Sequence, residues 1–483
     1  MRKCLFLCAA ALLSGRAQAS PLSLSEAVQT ALRQNPSVQA ALASADAAQA
    51  RVGLARSPWL PQLSASTQLR PESNYQVDGK DGAVNTLRYS GGLQFNQLIY
   101  DFGRTSARIR GAEAGTLAAQ ADSETSRSQV ALRAITSFYS VLQAEALREV
   151  SRRTIEQQQQ RRLQAESFFR IGTKPEIDVL IARTAVANAE LALVQADNNV
   201  WIARTQLLEA LGVQSEDTAD PAAAAGAAGS PASPAGGAQT EPWLLRPLQG
   251  AASPPLPQES PESNAPQVDS LLEGALQNRP DYQAQRERVR QAEATVRALR
   301  GDYLPQLSLG ISGQASGVLS DRSVSTVNGS TGMAVLTQGQ PNFTLTGSLS
   351  LSWPMLSGLA TVYGLREAHA NLQAARASLD ALRLSLRSQL LAALYQLRAG
   401  VRSVQAAKAL AMQADRQLEM ARGRYQAGVG NAIELGDAAV TAATAQGQRV
   451  QAEYTLYAAR ATLLWHLGQL IPPLHSTPND SRP

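Results

Sequence analysis

Cysteine is almost absent from this sequence of 483 residues, which contains only two, Cys4 and Cys8. Both lie in the N-terminal segment that is interpreted below as a cleaved signal peptide. We therefore expect a mature chain without cysteine. Such a chain has no disulfide bond, no thiolate metal site and no cysteine nucleophile.

Aromatic residues and long apolar runs are also scarce. Aromatic residues make up 5% of the sequence and charged residues 17%, which is below the roughly 25% of charged residues usual in soluble domains. No apolar run reaches the ~18 residues that a membrane-spanning helix needs. These shortages argue against a compact aromatic core and exclude a polytopic helical membrane protein.

Catalytic and metal-binding patterns are missing as well. The three histidines, His369, His466 and His475, lack the i, i+4 spacing of a helical metal site. There is no Ser-His-Asp order, Walker loop or Rossmann glycine run. The sequence thus predicts no metal, no cofactor and no enzymatic activity. A basic group is interpreted as a solvated helix face rather than a nucleic-acid site: Arg152, Arg153, Arg161 and Arg162.

The N-terminus has the pattern of a secretory signal peptide. A basic start at Arg2 and Lys3 precedes a short apolar stretch, and Ala17-Gln18-Ala19 forms an A-x-A cleavage site. We expect removal of residues 1–19, which lowers the formal net charge from +5 to +2. Export and this small charge argue against a nucleic-acid partner. Neither cysteine follows the apolar stretch, so no lipid anchor is indicated.

The remaining chain repeats itself. The motif LPQLS at 60–64 recurs at 304–308, and Leu211-Gly212 recurs as Leu467-Gly468. Several such blocks in the same order predict two tandem structural repeats, 20–213 and 268–470. The segment 214–267 between them is rich in Pro, Ala, Gly and Ser, which predicts a linker. The tail 471–483 is predicted to be flexible.

Each repeat contains two stretches with strict alternation of apolar and small polar residues. They predict strand hairpins at 60–98 and 304–353, with polar loops at 71–86 and 316–341. Stretches of about 10 residues suit tilted transmembrane strands. The alternative is a half-buried sheet of a soluble protein. Aromatic residues at one common end of the hairpins favour the membrane, as an interfacial girdle: Trp59, Tyr100, Phe102, Tyr303 and Trp353.

Four strands cannot close a barrel, and open strand edges are not stable in hydrocarbon. Several chains must therefore share one barrel. Two chains would give eight strands, whose side chains fill the interior. Three chains would give twelve strands and leave room for water, and the small polar residues of the inward face favour this larger barrel.

Helices of unusual length follow each strand hairpin. The proline-free run 104–170 contains 67 residues, about 100 Å of helix, and 361–425 contains 65 residues, about 98 Å. Each should stop at a glycine, Gly172 or Gly428. Thr173-x-x-Glu176 and Asn431-x-x-Glu434 predict capping boxes for the return helices. The predicted helical segments are 22–57, the long hairpin 104–213, then 268–301 and the long hairpin 361–470.

These features resemble the TolC family of outer-membrane efflux ducts, over nearly all of 22–470. The motifs that carry the resemblance are Ala31-Leu32-x-x-Asn35-Pro36, Leu60-Pro61-x-Leu63, Leu98-Ile99-Tyr100-Asp101-x-Gly103-Arg104, Phe169-x-x-Gly172 and Tyr425-x-x-Gly428. The resemblance implies a homotrimer, with a twelve-stranded transmembrane β-barrel on a long barrel of antiparallel α-helical coiled coils. It also implies residence in outer-membrane lipid and docking to a periplasmic adaptor and an inner-membrane pump of the RND, ABC or MFS type.

The resemblance also assigns roles at the hairpin tips. It places Glu434 and Asp437 at the constricted periplasmic entrance and pairs Tyr425 with Asp178 as a latch. The arginine that completes this latch in the family aligns with Gly430 here. Each residue also has an alternative without a channel role. Glu434 can be interpreted as a helix-capping glutamate, Tyr425 as an ordinary aromatic residue at a helix end, and Asp178 as an acid in the first turn of a helix. The turns expected to dock the adaptor are Gly172, Thr173, Gly428 and Val429.

The function predicted from these features is passive export of small molecules through a tripartite pump. The exit duct of a type I protein secretion system is the alternative within the same class. A periplasmic coiled-coil scaffold or adaptor without a pore is the rival from another class, and the four amphipathic strands argue against it. An enzyme is the weakest alternative, because no catalytic group of residues is present.

Overall fold

The computed structural model describes residues 22–76, 82–213, 266–327, 330–333 and 340–470. The predicted signal peptide, nearly all of the linker 214–267 and the tail 471–483 lie outside the described residues. Within the described ranges, no helix combines the length and the apolarity needed to cross a membrane.

The two halves contain the same order of elements, except that the second half has one additional short strand. The first half contains α1 (Leu24–Gln34), α2 (Pro36–Arg56), β1 (Gln62–Gln76), β2 (Gly82–Tyr100), α3 (Arg104–Arg170) and α4 (Glu176–Leu211). The second half contains α5 (Pro266–Asn278), α6 (Pro280–Arg300), β3 (Gln306–Val327), β4 (Ser330–Met333), β5 (Asn342–Ser352), α7 (Ala360–Gln426) and α8 (Ala432–His466). Single 3-10 turns, Ser57–Trp59 and Gly301–Tyr303, precede the first strand of each half.

The compact units of the chain do not coincide with the sequence repeats, because each unit takes segments from both halves. One unit, here called the sheet unit, comprises the described residues within 41–123 and 280–384. The other, here called the hairpin unit, comprises those within 22–40, 124–279 and 385–470.

The sheet unit contains one antiparallel sheet with the strand order β1-β2-β3-β5, and β4 pairs with the far end of β3. The register places Leu63 opposite Phe95, Phe95 opposite Ile311 and Ile311 opposite Gly347. Side chains alternate between the faces of a strand, so the apolar residues of all four strands share one face. The predicted alternation therefore produces one apolar face and one polar face.

The strands are longer than the alternating pattern predicts. β1, β2 and β3 contain 15, 19 and 22 residues, and the described parts of the predicted loops 71–86 and 316–341 are mostly strand. Backbone pairing of β1 with β2 continues to Gln76 and Gly82. Ladder hydrogen bonds join backbone groups and need no apolar side chains, so pairing persists where the apolar pattern ends.

The long helices of the hairpin unit end in the same way. α3, α4, α7 and α8 are each followed by a glycine in the left-handed conformation, Gly172, Gly212, Gly428 and Gly468, with φ between 69° and 79°. After α3, the N–H of Thr173 donates to the carbonyl of Phe168 at 3.0 Å, and the N–H of Gly172 to that of Phe169 at 2.9 Å. This is a Schellman motif, and it also ends α4 at Leu211 and α8 at His466, earlier than predicted.

The helix starts confirm the Asn431 cap of one predicted capping box and correct the other box. The side chain of Asn431 accepts a hydrogen bond from the N–H of Glu434 at 2.7 Å, as a cap for α8. The capping box at Thr173 is wrong: Pro175 is the residue before α4 and makes no side-chain cap, and the Thr173 hydroxyl donates to the carbonyl of Phe168 at 3.0 Å. Thr173 lies too far from the first turn of α4 to cap it, because Thr173 belongs to the turn that ends α3.

The repeated sequence motifs are contact partners in the hairpin unit. Asn35, between α1 and α2, donates from its side chain to the carbonyl of Ala210 at 2.9 Å. A Cβ added to Gly212 would lie 2.5 Å from the Asn35 Cα. In the second half, a Cβ on Gly468 would lie 2.9 Å from the carbonyl carbon of Asn278. The repeated glycine therefore packs, in each half, against the segment that joins the first two helices of that half.

Candidate functional site

The tips of the two helical hairpins bring Tyr425 and Asp178 together. Tyr425 lies in the last turn of α7 and is 4% exposed, packed with Leu435 and Phe168. Its phenol donates a hydrogen bond to Oδ2 of Asp178, in the first turn of α4, at 3.2 Å. This contact joins residues 247 positions apart, one from each half of the chain. The structure therefore places the two predicted latch residues in contact.

The environment of Tyr425 keeps its phenol protonated. Burial is the largest of the causes that together raise its pKa from 10.0 to about 12, and the negative charge and hydrogen bond of Asp178 supply the rest. Because folding raises this pKa, the associated stabilisation is fully present below pH 10 and is lost as the pH rises through about 12. The phenol is thus a hydrogen-bond donor throughout the physiological pH range.

A lysine of the other hairpin supplies the positive charge at this latch. Lys174 Nζ lies 5.0 Å from the centre of the Tyr425 ring, within the range of a cation–π contact. The same ammonium group donates to the carbonyl of Gly430 at 3.5 Å. Sequence reasoning missed Lys174, because it compared position 430 only with the aligned arginine. The cation approaches instead from the turn between α3 and α4.

Arg161 corrects the interpretation of the basic group on α3. Arg152 and Arg153 are exposed as predicted, but Arg161 is only 9% exposed. It donates to the carbonyl of Leu435 on α8 at 3.5 Å and to Gln158 at 3.4 Å, and its Nε has no hydrogen-bond partner among the described residues. Burial, with a further contribution from the charge of Arg422, lowers its pKa to about 10. The helix face that contains Arg161 packs against a neighbouring helix rather than against solvent.

A small cavity of about 40 Å³ lies beneath the latch. Its lining includes Gln158, Arg161, Asp178 and Tyr425. Polar and charged side chains therefore lie beside the phenol that joins the two hairpins. The rest of the lining is largely apolar and includes Ala165, Ala182 and Leu435.

Glu434 and Asp437 lie one turn apart on α8, immediately after the tip turn. Both are exposed, and the i, i+3 spacing places them on one face of the helix. Oε1 of Glu434 lies 3.6 Å from Nε of Arg424, a pair whose side chains are 43% and 59% exposed. Asp437 has no ion pair within the described part of the chain. The carboxylate of Asp437 is therefore the less compensated of the two.

The tip turns present exposed backbone and apolar side chains. Gly172 and Gly428 have open space where a Cβ would lie. Val429 is 72% exposed, and Ile171 in the other turn 68%. Thr173 is also exposed. All four residues predicted to dock an adaptor are accessible.

The predicted girdle residues lie at one end of the sheet, where β1 and β3 begin and β2 and β5 end. Trp59, Tyr100, Phe102, Tyr303 and Trp353 are all between 43% and 56% exposed. Nε1 of Trp353 donates to the carbonyl of Tyr303 at 3.1 Å, and the rings of Tyr100 and Phe102 meet edge to face at 4.7 Å. The aromatic residues of each hairpin are thus held close together at the surface.

Similarity to known proteins extends over most of the chain. Protein CyaE of Bordetella pertussis is 26% identical over 418 residues, which cover 86% of this chain and 77% of CyaE. The outer-membrane channel OprN superposes with a TM-score of 0.70 at 21% identity, covering 92% of this chain and 90% of that chain. The CmeC outer membrane channel of Campylobacter jejuni also gives a TM-score of 0.70, at 16% identity and with 92% and 86% coverage.

These likenesses confirm the predicted fold, a tandem-repeat chain of long helices with a four-stranded antiparallel sheet. A sequence model for the outer membrane efflux protein matches residues 27–213 and 271–469. This family match confirms the predicted outer-membrane location and the prediction that the protein is not an enzyme. The chain therefore belongs to the outer membrane efflux protein family.

Proposed function

We propose that three copies of this chain form a passive duct that carries small molecules across the outer membrane. An inner-membrane pump would deliver them, and a periplasmic adaptor would dock at the hairpin tips. The observation that carries the proposal is the sheet, which has one apolar face and two open edges. In this role the chain itself uses no source of energy, and the pump supplies the energy for transport.

The sheet cannot be complete in a single chain. Among the described strands, β1 pairs only with β2, and β5 pairs only with β3. Unpaired backbone groups at such edges cost several kcal/mol each in hydrocarbon. The apolar face is also uncovered within one chain, since Leu63 and Leu345 are 72% and 69% exposed. Neighbouring chains would pair the edges, and lipid would cover the apolar face.

Trimer formation is the first expected outcome. The mass of the detergent-extracted protein should equal three chains, because three four-stranded sheets close a barrel of twelve strands. A charge on the apolar face, Leu345→Arg, should lower the trimer yield, since arginine near the bilayer midplane costs about 2–4 kcal/mol. The neighbouring Thr344→Arg on the polar face is the matched control. A stable, channel-forming monomer would refute the trimer.

We further propose that the contact of Tyr425 with Asp178 holds the entrance closed. The contact joins the two hairpins of one chain through a single buried phenol. A hydrogen bond to a charged acceptor contributes about 1.5–3 kcal/mol. Its loss should therefore shift the closed–open equilibrium roughly tenfold or more toward the open state for each latch.

Tyr425→Phe removes this hydrogen bond and keeps the packed ring. We expect single-channel recordings in planar bilayers to show higher conductance or longer open times than the wild-type protein shows. Tyr395→Phe is the matched control, because Tyr395 lies on the same helix and is 64% exposed. Identical gating of wild type and Tyr425→Phe would remove the latch from the mechanism without removing the channel.

The class of cargo follows from the pump to which the duct is attached. Affinity purification of the complete chain from its native membrane, followed by mass spectrometry, should recover an adaptor together with a small-molecule exporter. Recovery of a pump dedicated to protein secretion would instead support the type I secretion alternative. Recovery of the chain in a fraction that contains no membranes would contradict both small-molecule export and type I secretion.

A further inference from the structure

Two arginines face each other on the polar face of the sheet. Arg70 on β1 lies directly opposite Arg88 on β2. Nε of Arg88 lies 3.0 Å from Oε2 of Glu72, whereas Arg70 has no ion pair within the described residues. Both arginines are exposed. Like charges directly opposite each other destabilise a strand pair, so packing within the chain does not explain this arrangement.

The same face is otherwise uncharged wherever all four strands run side by side. The even-numbered residues of 62–68, 90–96, 306–316 and 342–352 share this face in the paired register, and every one is Ser, Thr, Gln, Asn or Gly. Arg70 lies eight residues beyond Gln62, about 26 Å along the strand at 3.3 Å per residue. Measured from the girdle end, Arg70 and Arg88 are thus the first charges on this face.

We infer that Arg70 and Arg88 form a basic ring in the outer part of the duct, which favours the passage of anionic solutes. The inference rests on the proposed trimer, in which the polar face lines the lumen. Three chains would contribute six guanidinium groups in one row of this face, and the acids of the face, Glu72 and, opposite Thr86, Asp321, lie in the next row. Rings of charged side chains set selectivity in pores, and low-dielectric walls strengthen their field.

The chemistry of the ring defines the class of solute. Guanidinium groups bind carboxylates and phosphates through paired hydrogen bonds. The ring would therefore favour small molecules that carry a carboxylate or a phosphate group. It would oppose the charge of Glu434 and Asp437 at the hairpin tips, so the two selectivity elements of the duct have opposite sign.

The test is the reversal potential of the full-length channel in planar bilayers under a KCl gradient. Arg70→Gln removes a charge that has no ion pair with any described residue, so the ratio of potassium to chloride permeability should rise about twofold or more near 0.1 M salt, and less near 1 M, where screening is stronger. Arg70→Lys keeps the charge and should match the wild type. Gln68→Ala alters the same face without changing its charge and should also match it.

Block of the current by pyrophosphate provides a second, independent measurement. Added to each side in turn, it should reduce the wild-type current from at least one side and have less effect on Arg70→Gln. Unchanged selectivity in assembled Arg70→Gln, an equal shift in Gln68→Ala, or no block from either side would overturn the basic ring. Absence of any channel in the wild type would instead overturn the proposed function.

Discussion

Replacement of Glu434 and Asp437 by their amides should reduce the cation preference of the channel by about threefold or more near 0.1 M salt. If the trimer places the hairpin tips around one entrance, three chains contribute six carboxylates there. Such a ring concentrates cations and repels anions, and the effect weakens as salt screens it. Block by multivalent cations should decrease in parallel.

The ion pair of Glu434 predicts which acid matters more. Arg424 lies 3.6 Å from Glu434, so part of the Glu434 charge is already compensated, while Asp437 has no such partner among the described residues. Asp437→Asn alone should therefore lower cation selectivity more than Glu434→Gln alone. Arg424→Gln should act in the opposite direction, because it leaves the Glu434 carboxylate uncompensated.

The variants should assemble normally. The hydrogen bond that caps α8 runs from the backbone N–H of Glu434 to the side chain of Asn431, and an amide at position 434 preserves it. Glu190→Gln, an exposed acid on α4 away from the tip, is the control for loss of one negative charge. If reversal potentials of the assembled double variant equal those of the wild type, Glu434 is a helix-start residue without a role in selectivity.

Gly212→Ala should destabilise the protein much more than Gly172→Ala, although both glycines have nearly the same left-handed φ, 75° and 77°. The backbone strain, about 1–2 kcal/mol, is common to both substitutions. At Gly212, the new Cβ would also lie 2.5 Å from the Cα of Asn35, a backbone atom, whereas at Gly172 it would meet nothing within 4 Å. Overpacking of this kind adds about 1–3 kcal/mol.

The measurement is the midpoint of thermal loss of helical circular dichroism for each purified variant. Gly468→Ala should behave like Gly212→Ala, because its Cβ would approach Asn278 to 2.9 Å, and Gly428→Ala should behave like Gly172→Ala. Equal midpoints for Gly212→Ala and Gly172→Ala would show that the contact with Asn35 relaxes at no cost. The comparison separates packing from backbone strain because φ is matched.

The sequence by itself determined the features that depend on local spacing. Period-two alternation indicated both strand hairpins and their apolar face, and the proline-free run predicted α3 over Arg104–Arg170, as observed. Asn431 capped α8 as its motif predicted. Such features need only residues within a few positions of each other, because a strand face or a helix cap is set by local geometry.

Only the tertiary structure decided the contacts between distant segments. Lys174 reaches Gly430 across 256 positions, and Arg161 reaches Leu435 across 274. No local pattern distinguishes buried Arg161 from its exposed neighbours, because its burial depends on which helix packs against it. The repeat that contains Gly212 is visible in the sequence, but the reason why position 212 must be glycine is not. That reason is the close approach of Asn35, which lies 177 positions away in the sequence. Packing between helices supplies these constraints, and it is not encoded in the periodicity of either helix alone.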